Sequence, residues 1–300
     1  MQVAKDIKDF LMTRRAKITP DQVGLPSGGR RRVAGLRREE VALLAGVSAE
    51  YYVQIERGHV AGVSEEVLHA IATALRLDEA ETTHLFDLAR AVKRGKMPER
   101  DRKAGQPVPP GVQALMDAMV TAPAIVQNAH LDIVAANALG RTLYAGVFER
   151  ASGQPNLARF VFLDDHAAQV FPDWEQAADV VVALLHIEAA RSPYSKALTQ
   201  LIGDLATRSR QFRTRWAAHD VRTHERGVKR FRHPAVGDLT LSFEALEIAS
   251  AAGLTLIGYT AHAGSPDQQA LQLLASWIAT ERGAGPRRGV NAAAPSPSPE

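Results

Sequence analysis

Ser48, Ala49, Glu50, Tyr51 and Gln54 interleave with the apolar set Val47, Tyr52 and Ile55. At helical spacing this puts the five on an outward face. Their chemistry is that of reading base edges. The Gln54 amide can pair bidentately with adenine, and Tyr51 can pack on a thymine methyl or reach a phosphate. Glu50 can accept from cytosine, but capping its own helix is the simpler use. Ser48 reads as the N-cap, with nearby backbone amides able to meet phosphate. Just upstream, Arg30, Arg31, Arg32, Arg37 and Arg38 form a basic cluster. Beside a reading helix, such a cluster is the electrostatic footprint expected for phosphates, with Arg37 and Arg38 setting register. Glu56 and Arg57 are read as holding helices together.

The elements that must position these side chains are legible in LRREEVALLAGVSAEYYVQIERG, residues 36–58. Val41, Ala42 and Ala45 share one face of a first helix. Gly46 permits the bend, Val47, Tyr52 and Ile55 face inward from a second helix, and Gly58 ends it. Two short helices around a glycine turn form a helix-turn-helix, whose second helix enters the DNA major groove. A helix is expected over 5–18, a loop over 19–29, another helix from Ser64 with Glu65 and Glu66 in its first turn, and a last one from Asp78. Five helices in about 90 residues suit a DNA-binding bundle.

The remaining chain reads as a second unit. Three hundred residues, 46% hydrophobic and 23% charged, exceed one ordinary core. The expected organisation is residues 1–92 for DNA binding, a charged, proline-rich linker at 93–110, a second domain at 111–280, and a disordered tail at 281–300. The second domain should contain a helix near 111–120 and two short strands around a turn near Asn128–His130. A short helix, the apolar run NLARFVFLD (156–164), and long helical stretches over 174–220 follow. Three antiparallel strands and a closing helix complete it, which makes an α+β domain with a sheet of about five antiparallel strands. Asn137 stands where a strand hands over to a helix, either as an N-cap or as a polar handle in a pocket. Phe212, Trp216 and His219 share one helix face, as core packing or as a pocket wall in which His219 or a nearby arginine meets a carboxylate. His233–Pro234 reads as a strand-end turn.

Several function classes are disfavoured. The chain has no cysteine, so disulfides, thiol nucleophiles and cysteine metal sites are excluded; this also suits a reducing cytoplasm. His219, Asp220, His224 and His233 fit no metal-ligand spacing. No nucleophile elbow, phosphate-binding glycine loop or dinucleotide fingerprint is present. The charged N-terminus lacks the apolar core of a signal peptide, and the longest apolar runs are too short to span a bilayer. The net charge is only +3, yet the pI is about 9.2.

The run RRVAGLRREEVALLAGVSAEYYVQIERG resembles the lambda-repressor-like, or XRE, helix-turn-helix class, and within it the MmyB-like regulators. PAIV (123–126), LDIVAANALGRTLY (131–144), NLARFVF (156–162), FPDW (171–174), SRQFRTRWAAHDV (209–221) and HPAVGDLTL (233–241) resemble, in order, the ligand-binding domain that follows in that family. The resemblance implies an all-α lambda-repressor-like bundle plus an α+β PAS-like domain whose ligand is a hydrophobic small molecule such as a fatty acid. Family members often carry arginine where Gln54 stands, so the operator sequence does not carry over. The expected protein is no enzyme and holds no cofactor or metal. It is a cytoplasmic transcriptional regulator that binds double-stranded operator DNA as a homodimer, with half-sites about 34 Å apart or a multiple of that. The alternative is a second domain that serves dimerisation or protein contacts without a ligand.

Overall fold

The computed structural model describes residues 2–26, 33–94, 107–218 and 226–283. The N-terminal region is helical: α1 (Gln2–Lys17), a short 3₁₀ turn at Pro20–Val23, α2 (Arg38–Leu44), α3 (Ala49–Glu56), α4 (Glu65–Ala74) and α5 (Glu79–Arg94). Helix α1 spans slightly more than the expected 5–18. The inward residues of the motif behave as its spacing requires. Val41, Ala42, Ala45, Tyr52 and Ile55 are buried with Ile7, Phe10 and Leu11 of α1. Gly46 bends the chain at φ 66°. Gly58 sits at φ 91°, and a Cβ there would lie 2.6 Å from Ala4, so the residue is needed for both conformation and close approach.

Helix starts follow local capping chemistry. Ser48 Oγ accepts from the Tyr51 N–H at 3.1 Å, and Ser64 Oγ from the Val67 N–H at 3.4 Å. The Glu56 carboxylate, almost fully buried, ties three helices. It accepts from Arg15 Nε at 3.0 Å and from Arg38 Nε and Nη2 at 2.9 and 2.7 Å.

The C-terminal region runs α6 (Pro110–Ala118), β1 (Ala124–Asn128), β2 (Ile133–Ala136), α7 (Ala138–Leu143), α8 (Ala145–Glu149), α9 (Leu157–Leu163) and α10 (Ala167–Val170). The long α11 (Trp174–Arg191), α12 (Lys196–Arg208) and α13 (Arg210–Ala218) follow. After them come β3 (Arg226–His233), β4 (Gly237–Glu247), β5 (Leu254–Thr260) and α14 (Pro266–Gly283). The five strands form one antiparallel sheet in the order β2-β1-β5-β4-β3. The termini of the domain's sequence thus meet in its middle, with β1 beside β5. The apolar run NLARFVFLD becomes α9, because Asn156 Oδ1 accepts from the Arg159 N–H at 2.9 Å and opens a helix. Most of the expected linker and tail, residues 95–106 and 284–300, lies outside the described residues.

One face of the sheet carries Ile125, Phe231, Leu239, Leu241, Phe243, Ile257 and Tyr259 into a core with α7–α9 and α11–α13. The other face packs Val126, Leu254 and Leu256 against Met116 of α6. Helix α11 also packs on α5 of the N-terminal region, where Ala190 joins that region's core. At the same contact the His84 and His186 rings lie 6.5 Å apart, and Arg191 Nε reaches Asp87 Oδ2 at 3.2 Å.

Candidate DNA-reading face and ligand cavity

On α3, Glu50, Tyr51 and Gln54 are exposed, and so is the N-cap Ser48. Ala49 is half-buried and packs against the N-terminal core, because its position is close to the turn that brings α2 and α3 together. Arg37 is exposed at the start of α2, and its backbone N–H donates to Glu40 Oε2 at 2.6 Å. Arg38 points two of its nitrogens at Glu56, which raises its pKa further through the hydrogen bond and the charge. It therefore joins α2 to α3. Arg31 and Arg32 lie outside the described residues.

In the second domain, Asn137 differs from the pocket-handle reading. It is buried and caps α7, with Oδ1 accepting from the Gly140 and Ala124 N–H groups at 2.7 and 3.0 Å. Its Nδ2 donates to the carbonyls of Met119 and Ala122 at 2.9 and 2.8 Å. That hydrogen bonding binds α7 to the start of β1 and faces none of the cavities described below. Phe212 is fully buried, edge-on to Phe162 and stacked with Trp216. Trp216 stacks on His186 with ring centroids 3.7 Å apart and lines a cleft of about 270 Å³ between the two regions. His219 lies outside the described residues. His233 ends β3, and its Nδ1 accepts from the Ala235 N–H at 3.2 Å, which fastens the hairpin turn.

The residue that the sequence reading missed is Lys229. It lies on β3 in phase with buried Phe231 and His233, while Val228, Arg230 and Arg232 face out. That two-residue period was the available signal. Its side chain enters a cavity of about 70 Å³ between α11 and the sheet, walled by Tyr144, Phe171, Val180, Val181, Leu184, Phe243, Ile257 and Tyr259. Lys229 Nζ lies 4.4 Å from the Phe171 ring centroid, 5.2 Å from Phe231 and 5.3 Å from Tyr144. Its hydrogen-bond partner is the Tyr144 hydroxyl at 3.2 Å, which itself meets the Tyr259 hydroxyl at 2.5 Å. Burial lowers the Lys229 pKa to about 7 and raises those of both tyrosines, so the phenols stay neutral. Among the described residues no carboxylate pairs with Lys229. The cavity therefore offers largely apolar walls, one amine poised between its charged and neutral forms, a pair of hydroxyls, the amides of Gln127 and Gln176, and the Arg230–Asp173 ion pair.

A second chamber of about 390 Å³ adjoins this cavity and shares Gln127, Leu131, Leu184 and Ile257 with it. Among the described residues no group of three or more His, Asp or Glu side chains is placed to hold a metal ion, and no helix is long and apolar enough to cross a membrane.

Comparison with known proteins agrees with both halves. A helix-turn-helix domain model matches residues 29–85, and the model of the MmyB-like transcription regulator ligand binding domain matches residues 108–274. No curated protein matches the chain. Two models that match in this order, one of them over more than half of the chain, show that the chain belongs to the MmyB-like transcription regulators, a DNA-binding helix-turn-helix domain joined to a ligand-binding domain.

Proposed function

We propose that this regulator binds a specific DNA sequence as a cytoplasmic homodimer, and that its ligand is a hydrophobic carboxylic acid of the fatty-acid type. The observation that carries the ligand assignment is the Lys229 amine, surrounded by aromatic rings and bonded, among the described residues, to a phenol and no carboxylate. A lone ammonium out of water is costly. A ligand carboxylate would satisfy it with a charge-assisted hydrogen bond, strengthened by the low local dielectric. Burying about ten methylenes adds roughly 8 kcal/mol before ordering costs, enough for micromolar binding. The exposed face of α3 supports base reading, with Gln54 as the adenine reader and Arg37 as a phosphate contact; no catalytic role is assigned. Leu273 and Trp277, one turn apart on α14 and both exposed, support a self-association seam.

The test is native mass spectrometry of the purified full chain before and after organic extraction, followed by titration with dodecanoic acid. The expected result is one acid per protomer in the wild type and none in Lys229→Met. Equal uptake by both, or none by either, would overturn the assignment and leave the second domain as a protein-contact module.

A further inference from the structure

The cavity around Lys229 is too small by itself for the proposed ligand. Small-molecule sites run to about 300 Å³ or more, and this one encloses about 70 Å³. Its neighbour adds about 390 Å³. The two share Gln127, Leu131, Leu184 and Ile257, and one stripe of α11 runs along both. Gln176, Val180 and Leu184 line the inner cavity, and Leu184, Ile187, Glu188 and Arg191 line the outer chamber. Residues spaced three and four apart face one way. From Gln176 to Arg191 this stripe spans about 22 Å at 1.5 Å per residue.

The two compartments differ in chemistry. The inner one is mostly apolar around Lys229 and its phenols, with Gln127, Asp173, Gln176 and Arg230 as its other polar lining residues. The outer one combines apolar side chains with Asn128, Glu188, Arg191, Glu247 and Thr255. An acid anchored at Lys229 whose chain follows this stripe passes Leu184, and its far end emerges among hydrogen-bonding groups. A bare methyl end takes water from Arg191, Glu247 and Thr255 and offers no hydrogen bond in its place, which carries a penalty. A second carboxylate would face Glu188 and Glu247. A hydroxyl can donate to a carboxylate and accept from the guanidinium.

We infer that the outer chamber is the second half of the ligand site, and that the ligand is a straight-chain acid with a hydroxyl at or near the end remote from its carboxyl. This deepens the Lys229 reading and rests on it. The chamber also lies at the junction with the DNA-binding region. Arg191 lines it and at the same time pairs with Asp87 of α5 at 3.2 Å. A hydroxyl that engages Arg191 thus touches the same side chain that bridges the two regions.

The experiment is calorimetric titration of the full chain with hexanoic, dodecanoic and ω-hydroxydodecanoic acids, using wild type, Lys229→Met, Leu184→Phe and Arg191→Met. The wild type should bind the hydroxy acid about fivefold more tightly than dodecanoic acid, the equivalent of one added hydrogen bond. Arg191→Met should remove the partner, bringing the two long acids to equal affinity while hexanoic acid binds as before, and Leu184→Phe should close the passage and abolish the preference between the two long acids. Arg191 is substantially exposed, so its replacement tests the idea even if the larger phenylalanine disturbs folding. Equal affinity for the two long acids in the wild type, or a preference that survives Arg191→Met, would overturn the outer half of the site. Hexanoic acid binding that depends on Lys229 would in that case leave the inner half standing. No binding of any acid would remove both.

Discussion

Lys229 controls how acid binding should vary with pH. Its buried amine has a pKa of about 7, well below the ordinary lysine value. The unfolded chain therefore holds more protons than the folded one between about pH 7 and the ordinary lysine value, and apo stability rises with pH across that window. Lys229→Met should remove this slope and raise the apo melting temperature, more at pH 6 than at pH 9, as followed by thermal unfolding. Acid binding has the opposite sign. The carboxylate needs the charged amine, so affinity should weaken by up to about tenfold per pH unit above 7, and a flat profile in calorimetry would mean the anion is held elsewhere. Glu56 is the second residue with a sharp expectation. Replacing it by alanine leaves Arg15 facing a buried gap and frees Arg38, at a cost of about 3 kcal/mol or more in chemical denaturation. At the reading face, Gln54→Ala should relax preference at one base pair in a binding selection while non-specific affinity stays nearly constant. Equal losses on cognate and random DNA would remove its role as a reader.

At the scale of elements, α3 depends on two fittings at its ends. Ser48 supplies the N-cap, and Ser48→Ala should cost about 1 kcal/mol. Gly58 closes the other end against Ala4, and alanine there meets both a left-handed backbone and a contact of 2.6 Å. Gly58→Ala should therefore destabilise the domain by more than Ser48→Ala and shift α1 away from α3, visible as amide chemical-shift changes centred on Ala4. Helix α11 has the more unusual position. One stripe lines the ligand compartments, while Ala190 and His186 on another contact the DNA-binding region. A single helix thus touches both the second domain's cavities and α5 of the DNA-binding region.

At the scale of the whole molecule, regulation requires the ligand to favour one arrangement of the two regions over the other. The Arg191–Asp87 pair is a contact whose strength an occupant of the outer chamber can change. Asp87→Asn should leave acid affinity within about twofold but reduce the change in DNA affinity that the acid causes, read by fluorescence anisotropy with labelled operator. An undiminished response would place the coupling in the apolar part of the α5–α11 contact instead. A pair with one member substantially exposed contributes little to stability, so the melting temperature should barely move.

Much of the DNA-binding half was determined by the chain's own order of residues. Helix caps, the glycine turn and the apolar spacing at Val41, Ala42, Ala45, Tyr52 and Ile55 act over a few residues, and nothing distant is needed to read them. The α+β character of the second half was legible for the same reason, since a change of period from helical to alternating is local. The strand order was not, because β1 and β5 pair across more than a hundred intervening residues and no short-range signal records the partner. The ligand cavity was hidden for a related reason. Lys229 and Tyr259 come from separate strands and Tyr144 and Phe171 from the ends of separate helices, and each is unremarkable in its own segment. Asn137 was ambiguous in sequence, and only the carbonyls of Met119 and Ala122 folding over its amide made it a structural cap. Local propensity thus determined which segments became helices and strands. Tertiary packing decided which polar groups found partners, and left the Lys229 amine as the group that faces the cavity.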